Sequence, residues 1–253
     1  ADLLSEMDYC VHAATTWGGE ATERINVQRT HELFDLLNPE RVKRVVYFST
    51  ASVLGRDLKI LPEAEEHGTD YIRTKSICLR KLADHRLYDR IVTVFPTLIF
   101  GGDKEHPYSH LSKALTLLKR YSWIIGRIRV DTCFHFIHAK DIAKIVRYLL
   151  TAPGVEQRYV LGNEAISLGA LTKRVAEYFG KRIRWQIKFS PHGIFRLARV
   201  LGAEISAWDR FCLDFGDFCY PAINCQSLGL DSNLSDIEGI LSEWEAAQAL
   251  DRR

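Results

Sequence analysis

Two β-branched, apolar runs, VVYFS at 45–49 and IVTVF at 91–95, bracket a polar stretch and a helix-period segment, YIRTKSICLRKLADHRL at 71–87. Two strands joined by a long helical crossover make a βαβ unit, and such a unit requires a parallel sheet with helices packed on its faces. The chain opens with the same alternation. DYCVHAAT at 8–15 reads as a strand, TWGGEA at 16–21 as a polar loop, and INVQRTHELFDLL at 25–37 as a helix with Ile25, Leu33, Phe34, Leu36 and Leu37 near helical spacing. Thr69 or Asp70 supplies an N-cap for the helix that begins at Tyr71. The fold class is therefore α/β, a doubly wound sheet.

Beyond residue 104 the pattern is less regular. It contains KEHPYSHLSKALTLLKRYSW, a strand-like CFHFIHA at 133–139 and the helix DIAKIVRYLL at 141–150. A second strand–turn–helix–strand follows from RYVLG at 158–162 to KRIRWQI at 181–187, and SDIEGILSEWEAAQAL at 235–250 closes the chain as an amphipathic helix. The aromatic stretch AWDRFCLDFGDFCY at 207–220 gives FRLARVLG at 195–202 something to bury against, with a lid or an interaction face as the alternative.

With 34 Lys and Arg against 32 Asp and Glu, the net charge of +2 creates no single-sign field of the kind that nucleic acid requires. RVKR at 41–44 and KRIR at 181–184 read as solvated element ends. No run of eighteen apolar residues exists, and ADLLSEMD has neither the basic nor the apolar part of a secretory signal. The expectation is a cytoplasmic protein with neither a membrane nor nucleic acid as a partner. The six cysteines (10, 78, 133, 212, 219 and 225) form no CxxC pair and read as reduced, buried thiols.

A parallel sheet presents ligands at the carboxyl ends of its strands, where Ser49, Thr50 and Ser52 follow the run VVYFS. Tyr71 and Lys75, four apart, share one helix face. A lysine ammonium there can pull a phenol down from its usual pKa of about 10 and make it a proton carrier near neutrality. His106/His110 and His135/His138 have ligand-like spacing without a third-ligand pattern. They are read as polar contacts rather than a metal site, with a substrate-pocket role for His106, Tyr108 or His110 as the alternative.

Taken in order, D-Y-C-V-H-A-A at 8–14, N-V-x-x-T at 26–30, V-V-Y-F-S-T-A-S-V-L-G at 45–55, Y-I-R-T-K at 71–75, F-P-T-L-I-F-G-G at 95–102 and F-H-F-I-H-A-K-D-I-A at 134–143 resemble the successive motifs of the extended short-chain dehydrogenase/reductases, the NAD-dependent epimerase/dehydratase family. The resemblance spans essentially the whole chain. It implies a Rossmann-like sheet over residues 1–103, and a small C-terminal α/β substrate domain over 104–253 from which 134–150 return to the Rossmann core. It also implies hydride transfer to or from NAD or NADP on a small alcohol, carbonyl or sugar-nucleotide substrate. Tyr71 would be the acid/base, Lys75 its activator and a holder of the nicotinamide ribose, Thr50 the hydroxyl on the reacting oxygen with Ser49 as stand-in, and Asn26 the fourth member. Ala13, Ala14, Pro96 and Thr97 would line the cofactor. A homodimer through the helices at 22–37 and 71–87 is the fold-level analogy.

The sequence departs from the family pattern in one large respect. Neither GGE at 18–20 nor FGGD at 100–103 has the G-x-x-G-x-x-G spacing of a pyrophosphate cradle, so about 60 residues, two βα units, are expected ahead of residue 1. A natural short form and a partner chain that supplies the missing half are the alternatives. With the short form goes the rival function, a non-catalytic nucleotide-binding or assembly protein. Phe95 precedes Pro96 where the family often has arginine, and Leu54 replaces a frequent tyrosine. Arg127, Arg129 and Lys140 are available for a diphosphate.

Overall fold

The computed structural model describes residues 2–200, 204 and 206–251. A short helix, α1 (Asp2–Ser5), precedes strand β1 (Tyr9–His12), and a π-helical turn (Arg24–Arg29) runs into α2 (Thr30–Asp35). Then come β2 (Arg44–Phe48), α3 (Glu63–Glu66), α4 (Asp70–Leu82) and β3 (Ile91–Pro96). Thr69 caps α4, its hydroxyl accepting from the Ile72 amide at 3.4 Å. α4 stops at Leu82, five residues before the sequence pattern ends, because the His85 ring takes the Leu87 amide at 3.1 Å and folds the chain into turns.

The chain continues through β4 (Leu98–Phe100), α5 (His110–Ile125), β5 (Ile128–Arg129), β6 (Cys133–Phe134), β7 (Phe136–His138) and α6 (Ala139–Thr151). The remaining elements are β8 (Arg158–Leu161), β9 (Ile166–Ser167), α7 (Leu168–Tyr178), β10 (Ile187–Lys188), α8 (Pro191–Val200), α9 (Ala207–Phe215) and α10 (Ile237–Asp251). Of the helix expected at 195–202, residues 201 and 202 lie outside the described residues.

Two compact units result: Ala1–Pro96 with Val146–Val160, and Thr97–Ile145 with Leu161–Arg253. In the first, the sheet has the order β1-β2-β3-β8. β1 pairs parallel to β2 (Val11 opposite Val46) and β2 parallel to β3 (Val46 opposite Val92). The central strand β3 is buried at every position, as a sheet covered on both faces demands, whereas edge strand β1 leaves Tyr9 and Val11 exposed. Val27, Phe34, Leu37, Val45, Tyr47, Cys78 and Leu82 pack together as the core on one face.

The second unit has its own core of Phe100, Leu115, Phe136, Leu171, Val175, Ile240, Leu241 and Trp244. Its strands are short pairs: β4 with β7 and β5 with β10, both parallel, and β6 antiparallel to β9. The run CFHFIHA, expected as one strand, changes partners at His135. The buried His135 ring sits between the Asn163 carbonyl, 2.6 Å from Nδ1, and the Tyr220 amide, which donates to Nε2 at 2.9 Å. Gly102 closes the turn after β4 at φ 121°, and a Cβ there would lie 2.3 Å from the Tyr108 Cα, so only glycine fits.

Candidate active site

The first unit collects its polar side chains at the carboxyl ends of β1 and β2. Thr50 follows β2 in extended conformation and caps a single 3₁₀ turn, its oxygen accepting from the Ser52 amide at 3.3 Å. Tyr71 lies in the first turn of α4, and the same Thr50 hydroxyl is near enough to its phenol to pull the phenol's pKa down. One turn on, Lys75 is 2% exposed and its Nζ donates to the Phe48 carbonyl at 2.7 Å. Its ammonium lies 5.0 Å from the centre of the Tyr47 ring and 5.9 Å from that of Tyr71. The spacing that suggested a shared helix face thus brings Thr50, Tyr71 and Lys75 together.

Burial governs both titrations. It pushes Tyr71 up to about 12, against the opposing pull of the nearby Thr50 hydroxyl, and it lowers Lys75 to about 8. The direction for Tyr71 is opposite to the sequence expectation: burial disfavours the phenolate, and Lys75 gives its hydrogen bond to the Phe48 carbonyl instead of the phenol.

Asn26, buried in the π-helical turn, spends its whole amide on the loop after β1. Its Oδ1 accepts from the Thr15 hydroxyl and the Thr16 amide, both at 2.9 Å. Its Nδ2 donates to the Thr16 carbonyl at 2.9 Å and to the Thr74 hydroxyl at 3.0 Å. The extra residue of a π turn re-aims a side chain in this way, and such turns recur at functional sites. Ala13 and Ala14 are exposed just before that loop. Ser49 is buried, and its Oγ has no hydrogen-bond partner. Pro96 ends β3 in this unit. Thr97 belongs to the second, where its amide and hydroxyl both donate to the Leu161 carbonyl, at 3.0 and 2.9 Å.

Sequence reasoning missed two neighbours. Trp17 lies flat on the Tyr71 ring, with centroids 4.3 Å and planes 25° apart, although its side chain is otherwise exposed. The signal was a tryptophan set in a polar, double-glycine loop. His12, at the end of β1, stacks on Tyr47 and has Nε2 2.9 Å from the Thr30 hydroxyl, which itself donates to the Asn26 carbonyl at 3.1 Å. The single Thr30 proton is therefore spent, and His12 Nε2–H is the donor. Burial first, and then the Lys75 charge, lower His12 to about 4 and keep it neutral.

In the second unit four of the side chains considered for substrate have protein partners. His106 pairs with Asp103 at 2.9 Å, Tyr108 packs on the core, Arg129 pairs with Asp131 at 2.7 Å, and Lys140 pairs with Glu243. His138 accepts the Lys140 amide at 3.2 Å. Among the described residues no cluster of His, Cys, Asp and Glu is placed to hold a metal ion. All six cysteines are free thiols, but only Cys78 and Cys225 are fully buried.

A hydroxyl, a phenol and a lysine thus lie together at the carboxyl edge of a parallel sheet. Residues 2–162 match the model of the NAD dependent epimerase/dehydratase family, and the chain belongs to that family. Among solved structures it is similar to gox2253, with TM-score 0.69 and 19% identity, covering 99% of this chain and 81% of that one. It is also similar to UDP-glucuronic acid 4-epimerase from Bacillus cereus in complex with UDP-glucuronic acid and NAD, with TM-score 0.62 and 15% identity over 98% of this chain and 78% of that one. A third is dTDP-glucose 4,6-dehydratase from Bacillus anthracis in complex with NAD, with TM-score 0.60 and 13% identity over 97% and 74%. At these identities the likeness is one of fold. No curated protein matches the chain.

Proposed function

We propose that the protein is an NAD-dependent epimerase or dehydratase acting on a secondary alcohol or its ketone in a sugar nucleotide, with Tyr71 as the group that moves the proton. The observation that carries this reading is a buried Lys75 whose ammonium lies 5.9 Å from the centre of the Tyr71 ring, with the Thr50 hydroxyl near the phenol. An amine held at about 8 by burial, with one carbonyl partner, costs about 3 kcal/mol relative to water, and such costs concentrate at functional sites. Two of the fold neighbours hold NAD, and their names carry UDP and dTDP sugars, which favours the same ligand classes here.

The residues present fit the nicotinamide-riboside end of NAD. Lys75 has two N–H donors beyond the one given to Phe48, and the Ser49 hydroxyl is buried without a partner, so both call for a polar ligand at the end of β2. Bound there, NAD would accept or return the hydride. Thr50 would hold the reacting oxygen of the substrate beside the Tyr71 hydroxyl. Tyr71, protonated in the resting state, would donate its proton to that oxygen during reduction and take it back during oxidation. The Lys75 ammonium would stabilise the transient phenolate. Asn26 would act as a positioning residue that fixes the loop over α4, and Ala13 and Ala14 leave the chain bare beside the cofactor.

The test is product formation, followed by NMR, from a panel of UDP- and dTDP-hexoses with added NAD. The reading expects a new epimer or a 4-keto-6-deoxy sugar from at least one member of the panel; no change in any of them would refute it. We further infer a homodimer through the helices around α2 and α4, where Leu36 is exposed, to be checked by sedimentation. A cytoplasmic site agrees with six free thiols and is open to thiol titration of freshly isolated protein.

A further inference from the structure

In the second unit the exposed large apolar side chains gather where the end of α5 meets β10. Leu117, Tyr121, Trp123 and Ile124 on α5 are 59, 42, 55 and 44% exposed, and Trp185, Ile187 and Phe189 are 57, 53 and 39% exposed. The two groups are joined. The Arg127 guanidinium lies 5.9 Å from the centre of the Trp123 ring and 5.3 Å from that of Trp185. The alternation of a strand explains the outward set: Gln186 turns inward and donates to the Gly126 and Gly169 carbonyls at 2.9 Å, which sends Trp185 and Ile187 to the solvent side.

The charges around this patch are one-sided. Segments 106–130 and 178–190 hold nine Lys and Arg and no Asp or Glu, in a chain whose net charge is only +2. Asp131 answers Arg129 and Lys188, and Glu245 answers Lys119 at 2.5 Å, which leaves the exposed Lys113, Arg120, Lys181, Arg182 and Arg184 in surplus among the described residues. Arg120 lies over the Tyr121 ring. Tryptophans and aliphatic side chains ringed by cations match the headgroup layer of an anionic bilayer, where indoles settle at the interface and cations meet lipid phosphates.

We propose that this face seats the protein on an anionic membrane surface. Among the described residues no helix is long and apolar enough to cross a membrane, so this face would rest on the bilayer surface. A second copy of the chain is a poorer occupant, because self-contact would press cations against cations. Single-stranded nucleic acid is poorer too: Ile124, Ile187 and Leu117 offer a base nothing to stack on, and Arg127 already lies over both indoles.

The test is co-sedimentation of the full protein with vesicles of phosphatidylcholine alone or mixed with phosphatidylglycerol, at low and at high salt. The anionic vesicles are expected to take the protein down at low salt, and neutral vesicles to leave it in solution. The double substitution Trp123→Ser, Trp185→Ser should weaken capture by more than about tenfold, as should Arg182→Glu with Arg184→Glu. An unchanged thermal unfolding midpoint shows that the variants are folded. No capture by anionic vesicles, capture untouched by either double variant, tighter binding to oligo-dT than to vesicles, or self-association that shields both tryptophans would each overturn the proposal.

Discussion

Asn26 and Thr74, 48 residues apart, are joined by a hydrogen bond of 3.0 Å that ties the π-helical turn to α4. The Thr74 hydroxyl gives its own proton to the Asp70 carbonyl at 2.7 Å, so the asparagine amide is the donor. The loop carrying Trp17 is thereby held to the helix carrying Tyr71. Asn26→Ala removes four hydrogen bonds and strands buried partners, so it should cost about 2–4 kcal/mol of stability in urea unfolding. A loss below about 0.5 kcal/mol would mean that the clamp is decorative.

His12 predicts an acid limit. Its pKa is about 4 in the fold against an ordinary 6.5, so the unfolded chain binds the extra proton as pH drops below 6.5. Stability is then lost as the pH falls from 6.5 toward 4. Between pH 7 and pH 5 the loss from this one ring is about 2 kcal/mol. His12→Gln should flatten that part of the stability profile; an unchanged slope would assign it to other groups.

Lys75 gives opposite trends for activity and stability. Below about pH 8 its amine is charged in the fold, and between about 8 and 10.5 only the unfolded chain keeps the proton. Stability therefore gains from this group as pH rises through that window, while turnover, which needs the ammonium, declines. Lys75→Met should abolish both trends and reduce kcat by about a hundredfold or more. A variant with the wild-type upper limb in its pH–rate profile would exclude Lys75 as the titrating group.

Much of the first unit was legible in the sequence because β2 and β3 are short, β-branched and largely buried, so VVYFS and IVTVF could hardly be anything else. That Tyr71 and Lys75 lie on one side of α4 was legible for a related reason: a helix period of four is a local fact. The Trp17 stack and the Asn26 clamp were not, since each depends on where a loop returns in space. The pKa direction of Tyr71 was misread because spacing reports the distance of a charge but not the dryness of its surroundings. In the second unit CFHFIHA looked like one strand because periodicity cannot see that His135 is claimed by Asn163 and Tyr220.

Trp17 restrains the phenol by lying on it. Trp17→Ala should lower kcat by about tenfold through a looser Tyr71, and Trp17→Phe should restore most of the loss. Steady-state kinetics on the pair decide the matter; equal kcat for all three proteins would remove the indole from the account.

The central claim is that the Tyr71 hydroxyl carries the proton. Its most direct test is a comparison of Tyr71→Phe with the parent protein for NAD affinity, by calorimetry, and for turnover of whichever hexose nucleotide is converted. The account predicts NAD affinity within about threefold and turnover reduced by about 10²–10⁴. Undiminished turnover with the hydroxyl gone would contradict it.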